Sequence, residues 1–188
     1  MTACHAKRAF LSIGILFVAL TLAALPQVRA GDTVTATKGA TYYTLFSLYY
    51  EGDHHFTTNY RKGIFVPINT PVQFLEAGDE EIDVSISGKK VRFINVPEYS
   101  GENIGGIFSR TFGSAPVGLD DFTALEKDNI LAGTVAAGMS KKAVILALGY
   151  PPKHQTPTLE SSQWRYWHNR FGTFLVLFSG DVVHSVQE

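Results

Sequence analysis

The chain has 188 residues, of which 45% are hydrophobic and 18% charged, with 16 basic residues, 17 acidic residues and a single cysteine. This length accommodates one medium-sized domain or two small ones. The near-neutral charge and the lack of a basic run argue against nucleic-acid binding, so we expect no nucleic-acid partner.

The first thirty residues have the three-part pattern of a secretory signal peptide. Lys7 and Arg8 precede an apolar run over 11–25, and the small residues Val28 and Ala30 follow it. This run is shorter than the roughly 20 apolar residues that a transmembrane helix needs. We therefore expect cleavage after Ala30 and a periplasmic protein. An uncleaved N-terminal anchor is the alternative.

The segment after the signal contains no cysteine, because Cys4 precedes the apolar run. The protein is therefore not expected to be a lipoprotein or to contain disulfides. Residues 31–188 keep 13 basic and 17 acidic residues, a net charge of −4. This part has no second long apolar stretch, so no transmembrane segment is expected after cleavage, although association with the outer membrane is compatible with it.

Residues 31–98 predict a small antiparallel β-domain of SH3-like size. Ile82, Val84 and Ile86 alternate with polar residues, and Ser87-Gly88-Lys89 is typical of a tight turn. About five short strands, separated by similar turns, are expected in this region. Residues 99–118 predict a short covering helix, with Ile104 on its buried face, followed by a linker.

Residues 119–188 predict a two-layer α/β module. A first helix begins near two acidic residues, and a second begins at Ser140 and ends at Gly149 before a proline. Three strands follow, separated by turns at 169–172 and 179–181. The predicted fold class is therefore α+β: a small SH3-like antiparallel β-domain followed by a two-layer ααβββ module.

The order of these elements and their residues resembles the BamE family, also called the SmpA/OmlA domain. The matching residues are Ile130, Gly138-Met139-Ser140, Ala143-Val144, Ala147-Leu148-Gly149-Tyr150-Pro151, Trp164-Arg165-Tyr166, Val176-Leu177-Phe178 and Asp181-Val182-Val183. The resemblance covers roughly residues 122–187 and leaves the N-terminal β-domain unassigned. It implies a non-catalytic accessory of outer-membrane protein assembly that contacts envelope proteins and anionic lipid.

The strand after the second helix supplies the candidate binding site. Alternation places Trp164 and Tyr166 toward the helices and the residues between them toward solvent. The predicted partner-binding residues are Arg165, Trp167, Arg170, Phe171 and Tyr150. Exposed tryptophan flanked by arginine is typical of an interface hot spot. Ordinary cross-strand packing is the alternative for the strand residues. For the loop that follows the second helix, a helix stop is the preferred interpretation and explains every residue except Tyr150.

Other residue clusters give weaker indications of function. Asp53-His54-His55 invites a metal, but neighbouring strand residues point to opposite faces and no second ligand pair accompanies them. The acids at 79–81 and 120–121 lie at predicted turns or helix starts, and no catalytic motif is present. We therefore expect no metal, no cofactor and no enzymatic activity.

Two alternatives to envelope-protein binding stay open. The first is a peptidoglycan-associated accessory or hydrolase, in which aromatic residues of the β-domain hold glycan. Those residues are Tyr42, Tyr43, Tyr49, Tyr50, Phe56 and Tyr60. The second is an inhibitor of a secreted enzyme, since a similar helix-and-strand order occurs in β-lactamase inhibitor proteins.

Overall fold

The protein was analysed as a computed structural model that describes residues 33–188. The predicted signal peptide lies outside the described residues. The elements in chain order are β1 Thr41–Thr44, β2 Leu48–Tyr50, β3 His54–Phe56, β4 Ile64–Val66, β5 Pro71–Ala77, β6 Glu81–Ile86, β7 Lys89–Ile94, α1 Pro97–Ser100, α2 Ile104–Thr111, β8 Phe112–Gly113, α3 Ala124–Ala132, α4 Lys141–Leu148, β9 Gln163–Trp167, β10 Thr173–Ser179 and β11 Val182–Gln187.

Six strands form a curled N-terminal sheet in the order β3-β7-β6-β5-β1-β8. Neighbouring strands are antiparallel except β3 and β7, which run parallel. The predicted turn between β6 and β7 is confirmed: Ser87 and Gly88 have φ of 51° and 81°. Two successive positive φ values match the twist of a two-residue hairpin. Strands β2 and β4 pair separately as a two-stranded sheet.

The predicted fold class, a small SH3-like domain followed by a two-layer ααβββ module, is wrong. Strands make up 35% and helices 19% of the structure, and the N-terminal sheet is a mixed half-barrel. The expectation failed because it treated 99–118 as cover and linker. Phe112 and Gly113 instead return to pair with β1, which adds a sixth strand to the sheet. Such pairing between distant segments leaves no local pattern in the sequence.

Helix α2 closes one side of the N-terminal sheet. Its residues Ile104, Ile107 and Phe108 are buried, as their helical spacing predicted. The Asn103 side chain accepts a hydrogen bond from the Gly106 backbone N–H at 2.8 Å and caps the first turn. The apolar cluster beneath the helix contains Leu48, Val72, Phe74, Ile82, Val84, Val91, Phe93 and Phe112.

The C-terminal sheet has the order β11-β10-β9 and is antiparallel throughout. Helix α4 packs on its inner face, and the predicted bounds of this helix are confirmed. The Ser140 hydroxyl accepts from the Ala143 N–H at 3.2 Å, and Gly149 follows the last turn with φ of 79°. A side chain at Gly149 would lie 2.5 Å from the Asn59 amide nitrogen, so only glycine fits this close approach.

One carboxylate holds the N-termini of α3 and α4 together. Glu126 and Thr123 form a reciprocal capping box at the start of α3. The other Glu126 oxygen accepts from the Ser140 N–H at 2.9 Å and from its hydroxyl at 2.6 Å. The hydrogen bonds from Ser140, followed by those from Thr123, lower the pKa of Glu126 to about 2.

Side chains of the N-terminal region connect it directly to the C-terminal helices. Ser47 donates from its backbone N–H to the Leu146 carbonyl at 2.9 Å and from its hydroxyl to the Ile130 carbonyl at 3.2 Å. Asn59 donates to the Leu148 carbonyl at 2.7 Å. All three carbonyl groups lie in the last turn of α3 or α4, where a helix has no further N–H of its own in register to donate to them. The two regions therefore share one hydrogen-bonded junction.

Candidate functional site: an aromatic binding surface

The tip of the β9–β10 hairpin presents an aromatic and a basic side chain to solvent. The Asn169 side-chain oxygen accepts from the backbone N–H groups of Phe171 and Gly172 at 2.9 and 3.1 Å, which fixes the turn. Phe171 is 82% exposed. The Arg170 guanidinium carbon lies 4.5 Å from the centre of its ring, within the range of a cation–π contact. The turn thus holds both groups outward.

Trp167 ends strand β9 beside this tip, but it is half-buried rather than fully exposed as the sequence suggested. Its ring centre lies 6.4 Å from that of Tyr60 and 6.4 Å from that of His154. His154 in turn lies 4.6 Å from Tyr99. We call Tyr60, Tyr99, His154 and Trp167 the junction cluster. It combines rings from the N-terminal region with the Trp167 ring of the C-terminal sheet and the His154 ring of the loop before it.

The inward side of β9 follows the predicted alternation. Trp164 and Tyr166 have no exposed surface, which confirms their expected orientation. Arg165 is half-buried, and its guanidinium donates to the Thr173 hydroxyl across the strand pair at 3.0 Å. The arginine is therefore tied down on the outer face of the C-terminal sheet, where its remaining donors can meet a partner.

Tyr150 does not join this surface. Its ring packs against Phe46 at 5.9 Å, and the Arg110 guanidinium lies 5.1 Å above it. Tyr150 also lines an internal space of about 10 Å³ at the junction. Of the five predicted binding residues, the structure brings Trp167, Arg170 and Phe171 to one end of the hairpin. Arg165 lies farther along the same strand, and Tyr150 is half-buried against Phe46.

The aromatic residues proposed to hold glycan divide into two groups. Tyr49, Phe56 and Tyr60 line one partly enclosed cavity of about 170 Å³. Tyr42 instead packs against the α2 residue Phe108, with ring centres 5.2 Å apart, and Tyr50 is buried in the core. The cavity, which we call the tyrosine cavity, is completed by Glu51, His54, His55 and Lys62.

His55 forms the inner wall of the tyrosine cavity. Only 5% of its surface is exposed, and its Nδ1 lies 2.7 Å from the Tyr49 carbonyl oxygen. Burial is the main cause that lowers the pKa of His55 to about 4, and the nearby Arg110 charge acts in the same direction. At neutral pH the ring is uncharged, and Nδ1 carries the proton that it donates to the carbonyl. The other nitrogen, Nε2, then holds a lone pair that can accept a hydrogen bond.

One ion pair lines the tyrosine cavity, and a contact between a histidine and an aspartate lies beside it. The Lys62 ammonium lies 2.7 Å from a Glu51 carboxylate oxygen, and His54 Nδ1 lies 2.5 Å from an Asp53 carboxylate oxygen. On β3, His54 is half-buried and His55 is buried, and both line this cavity. Within residues 33–188, no three histidine, cysteine or acidic side chains are grouped so that they could hold a metal ion.

Sequence reasoning missed Arg61, which connects the tyrosine cavity with the C-terminal region. Its backbone N–H donates to the Trp167 carbonyl at 3.1 Å, and its guanidinium donates to the Gly133 carbonyl. The guanidinium carbon also lies 5.0 Å from the Tyr49 ring centre, and burial lowers the pKa of Arg61. A lone arginine in a polar stretch is usually exposed, so the sequence carries no signal for this role.

The tyrosine cavity and the junction cluster share Tyr60. The acids at 79–81 and 120–121 take no part in either group: Glu81 is half-buried and pairs with Arg92 at 2.9 Å, and the other four are exposed. None of the helices within residues 33–188 combines the length and apolar character required to traverse a bilayer. Comparison with protein-family models, curated proteins and solved structures found no match for this chain. The BamE resemblance therefore stays a prediction from the residues quoted for it.

Proposed function

We propose that this protein is a non-catalytic binding protein of the bacterial cell envelope, exported to the periplasm. The observation that carries the proposal is the outward pair Arg170–Phe171, held on a fixed turn beside the half-buried Trp167. Large exposed aromatic side chains next to arginine are the usual energetic centre of a protein interface. Burial of such an exposed aromatic side chain against a partner is energetically favourable, which makes this surface suited to binding.

The C-terminal sheet gives this surface a rigid support. Trp164 and Tyr166 are fully buried beneath the outer face, and the Tyr166 hydroxyl donates to the Gly149 carbonyl at 3.0 Å. A partner that binds the hairpin tip therefore meets a surface that is already ordered. Binding to such a surface costs less conformational entropy than binding to a flexible loop.

The proposed partner is an envelope or outer-membrane protein that offers an apolar pocket for Phe171 and a carboxylate for Arg170. Arginine favours this pairing because its planar guanidinium matches a carboxylate with two parallel hydrogen bonds. Anionic lipid could satisfy the same arginine, but it offers no shaped pocket for the exposed ring. We therefore favour a protein and treat lipid binding as an outcome of the test.

The proposal is tested by affinity capture from envelope extracts with the purified protein and with the double variant Arg170→Glu/Phe171→Ala. Both side chains are exposed, so the variant is expected to keep the wild-type unfolding midpoint. We expect it to lose a protein that the wild type retains. The matched control, Leu131→Ala, removes an apolar side chain that is 53% exposed on α3 and should retain that protein.

Three results would contradict the proposal. The wild type and both variants could capture the same proteins, the partner could be lost only with Leu131→Ala, or the wild type could capture anionic vesicles and no protein. The peptidoglycan alternative is distinguished by sedimentation with purified sacculi. If the wild type and the double variant both sediment with sacculi, the residues that contact glycan lie outside the hairpin tip.

A further inference from the structure

We propose that the tyrosine cavity binds a single neutral sugar ring, with one face stacked on Phe56 and Tyr60 and its hydroxyls held by the polar rim. This inference goes beyond the proposed function, because the cavity lies on the N-terminal sheet side and involves neither Arg170 nor Phe171. It assigns a ligand class to a space that the partner-binding surface does not use.

The size of the cavity limits what can enter it. Its volume of about 170 Å³ is below the roughly 300–1,000 Å³ of sites that enclose drug-sized ligands. One ring with its substituents is the largest unit that such a space encloses. A longer chain of rings could place only one unit inside, and its neighbours would have to leave through the opening.

The aromatic walls have different roles. The Tyr49 ring already contacts the Arg61 guanidinium at 5.0 Å and the Phe65 ring at 5.2 Å, so it forms a fixed part of the wall. Phe56 is 46% exposed, and Tyr60 is half-buried. These two rings therefore keep accessible surface for a ligand. An exposed phenylalanine that lines a cavity gains most when a flat apolar face, such as the C–H side of a sugar ring, covers it.

The charges around the cavity favour a neutral ligand. Glu51 is paired with Lys62 at 2.7 Å, so the carboxylate and the ammonium that line the cavity already neutralise each other. A charged ligand would have to displace one member of a pair to gain an equivalent contact. Hydroxyl groups can instead donate to Glu51 and accept from Lys62 while the pair persists.

The inner wall suits hydroxyl recognition as well. His55 is neutral at physiological pH and donates through Nδ1 to the Tyr49 carbonyl, so its Nε2 is an acceptor for a hydroxyl proton. A purely apolar ligand would leave the carboxylate, ammonium and imidazole groups around the cavity without new partners. Such desolvated polar groups oppose binding. A sugar ring satisfies both the aromatic and the polar part of the wall.

The aromatic lining extends from Tyr60 to the junction cluster. Tyr60 lines the cavity and also lies 6.4 Å from Trp167 in the junction cluster. A second ring that leaves the cavity on this side would meet the junction cluster. The geometry therefore predicts that a short oligosaccharide binds more tightly than the single sugar.

The test is an amide-detected NMR titration of the full mature chain with N-acetylglucosamine and with its trimer. We expect shifts confined to 49–62 with the monomer, extending to Trp167 and His154 with the trimer. Phe56→Ala and Tyr60→Ala should each weaken binding about tenfold, the upper range for loss of one aromatic contact. Leu131→Ala, which removes an exposed apolar side chain on α3 away from the cavity and the junction cluster, is the control and should leave the affinity unchanged.

Phe56 is exposed, so its substitution should not prevent folding, and the unfolding midpoint of each variant is measured alongside. No shifts at 49–62 up to the solubility limit of both sugars would overturn the inference. Shifts that persist unchanged in both the Phe56 and Tyr60 variants would also overturn it. Binding of indole or choline at these residues without sugar binding would assign the cavity to another ligand class.

Discussion

The N-terminal and C-terminal regions have interiors of different chemistry. The N-terminal sheet buries two titratable side chains: His55 beside the tyrosine cavity, and Asp83 beneath Arg92 and Lys90. The C-terminal region buries one carboxylate, Glu126, at the starts of α3 and α4, but the apolar cluster of its sheet is built around the large rings of Trp164 and Tyr166, both fully buried. The comparison indicates a division of work: the N-terminal region keeps polar groups next to a cavity, whereas the C-terminal region supplies a rigid support for an exposed hairpin.

The buried acid of the N-terminal region is fully paired. The Arg92 guanidinium makes two 2.8 Å hydrogen bonds to the Asp83 carboxylate, and the Lys90 ammonium lies 2.6 Å from it. The hydrogen bond to Arg92 is the largest cause that lowers the pKa of Asp83 to about 2. His55 has no such charged partner and stays neutral instead. Burial of a charge is thus offset for Asp83 by its paired cations, and it is avoided for His55 because that ring stays uncharged.

The largest expected effect is loss of the C-terminal core. Trp164→Ala removes a ring with no exposed surface that packs 4.7 Å from Phe178, and it should lower the free energy of unfolding by about 3–5 kcal/mol. Urea unfolding followed by far-UV circular dichroism measures it. Trp167→Ala is the matched control and should cost less, because Trp167 is half-buried. Equal losses for the two variants would show that the outer face contributes as much to folding as the core.

The second expected effect separates the regions by pH. The pKa of His55 is about 4 in the folded protein and 6.5 in the unfolded chain, so the unfolded chain takes up the proton first as the pH falls. The contribution of neutral His55 to the free energy of unfolding is therefore complete above pH 6.5, and it is lost as the pH falls from 6.5 to 4. The expected loss is about 3 kcal/mol in the free energy of unfolding.

This pH effect is measured by urea unfolding between pH 7 and pH 4, with His55→Gln as the comparison. Glutamine does not titrate, so the variant should be less stable at pH 7 but much less sensitive to pH over this range. Glu126 and Asp83 also have lowered pKa values, and their stabilisation is lost mainly below about pH 4.5. An unchanged pH slope in the His55 variant would assign the acid sensitivity to groups other than His55.

The smallest expected effect concerns the junction between the regions. Arg61→Met keeps much of the side-chain length but leaves the Gly133 carbonyl without its guanidinium donor, which should cost about 1–3 kcal/mol. The adjacent Lys62→Met is the control and should cost less than about 1 kcal/mol, because its ion pair with Glu51 is exposed. Urea unfolding of both variants decides the difference. Equal values would mean that the buried arginine does not stabilise the junction.

Local chemistry made part of the fold predictable. The β6–β7 turn and the ends of α4 could be predicted because residues such as Ser87-Gly88 and Ser140 determine the backbone only a few positions away. The pairing of β8 with β1, and of β3 parallel to β7, joins segments far apart in the chain. No local pattern marks such pairings, and the predicted fold class failed on them.

The candidate site was predictable to a similar extent. Period-two alternation placed Trp164 inward, and turn chemistry placed Phe171 at an exposed tip. Alternation could not show that residues from the N-terminal region would half-cover Trp167, or that Tyr150 would pack against Phe46. The tyrosine cavity likewise depends on strands β2 and β3 meeting the segment that contains Tyr60 and Lys62. Tertiary packing decided these positions.

The most direct measurement of the partner-binding surface is photo-crosslinking in living cells from two single positions. A photoreactive amino acid replaces Phe171 at the hairpin tip in one protein and Leu131 on α3 in the other, where both native side chains are exposed. We predict one discrete protein adduct from position 171 and none from position 131. An adduct only from position 131, or no adduct from either position, would contradict the account.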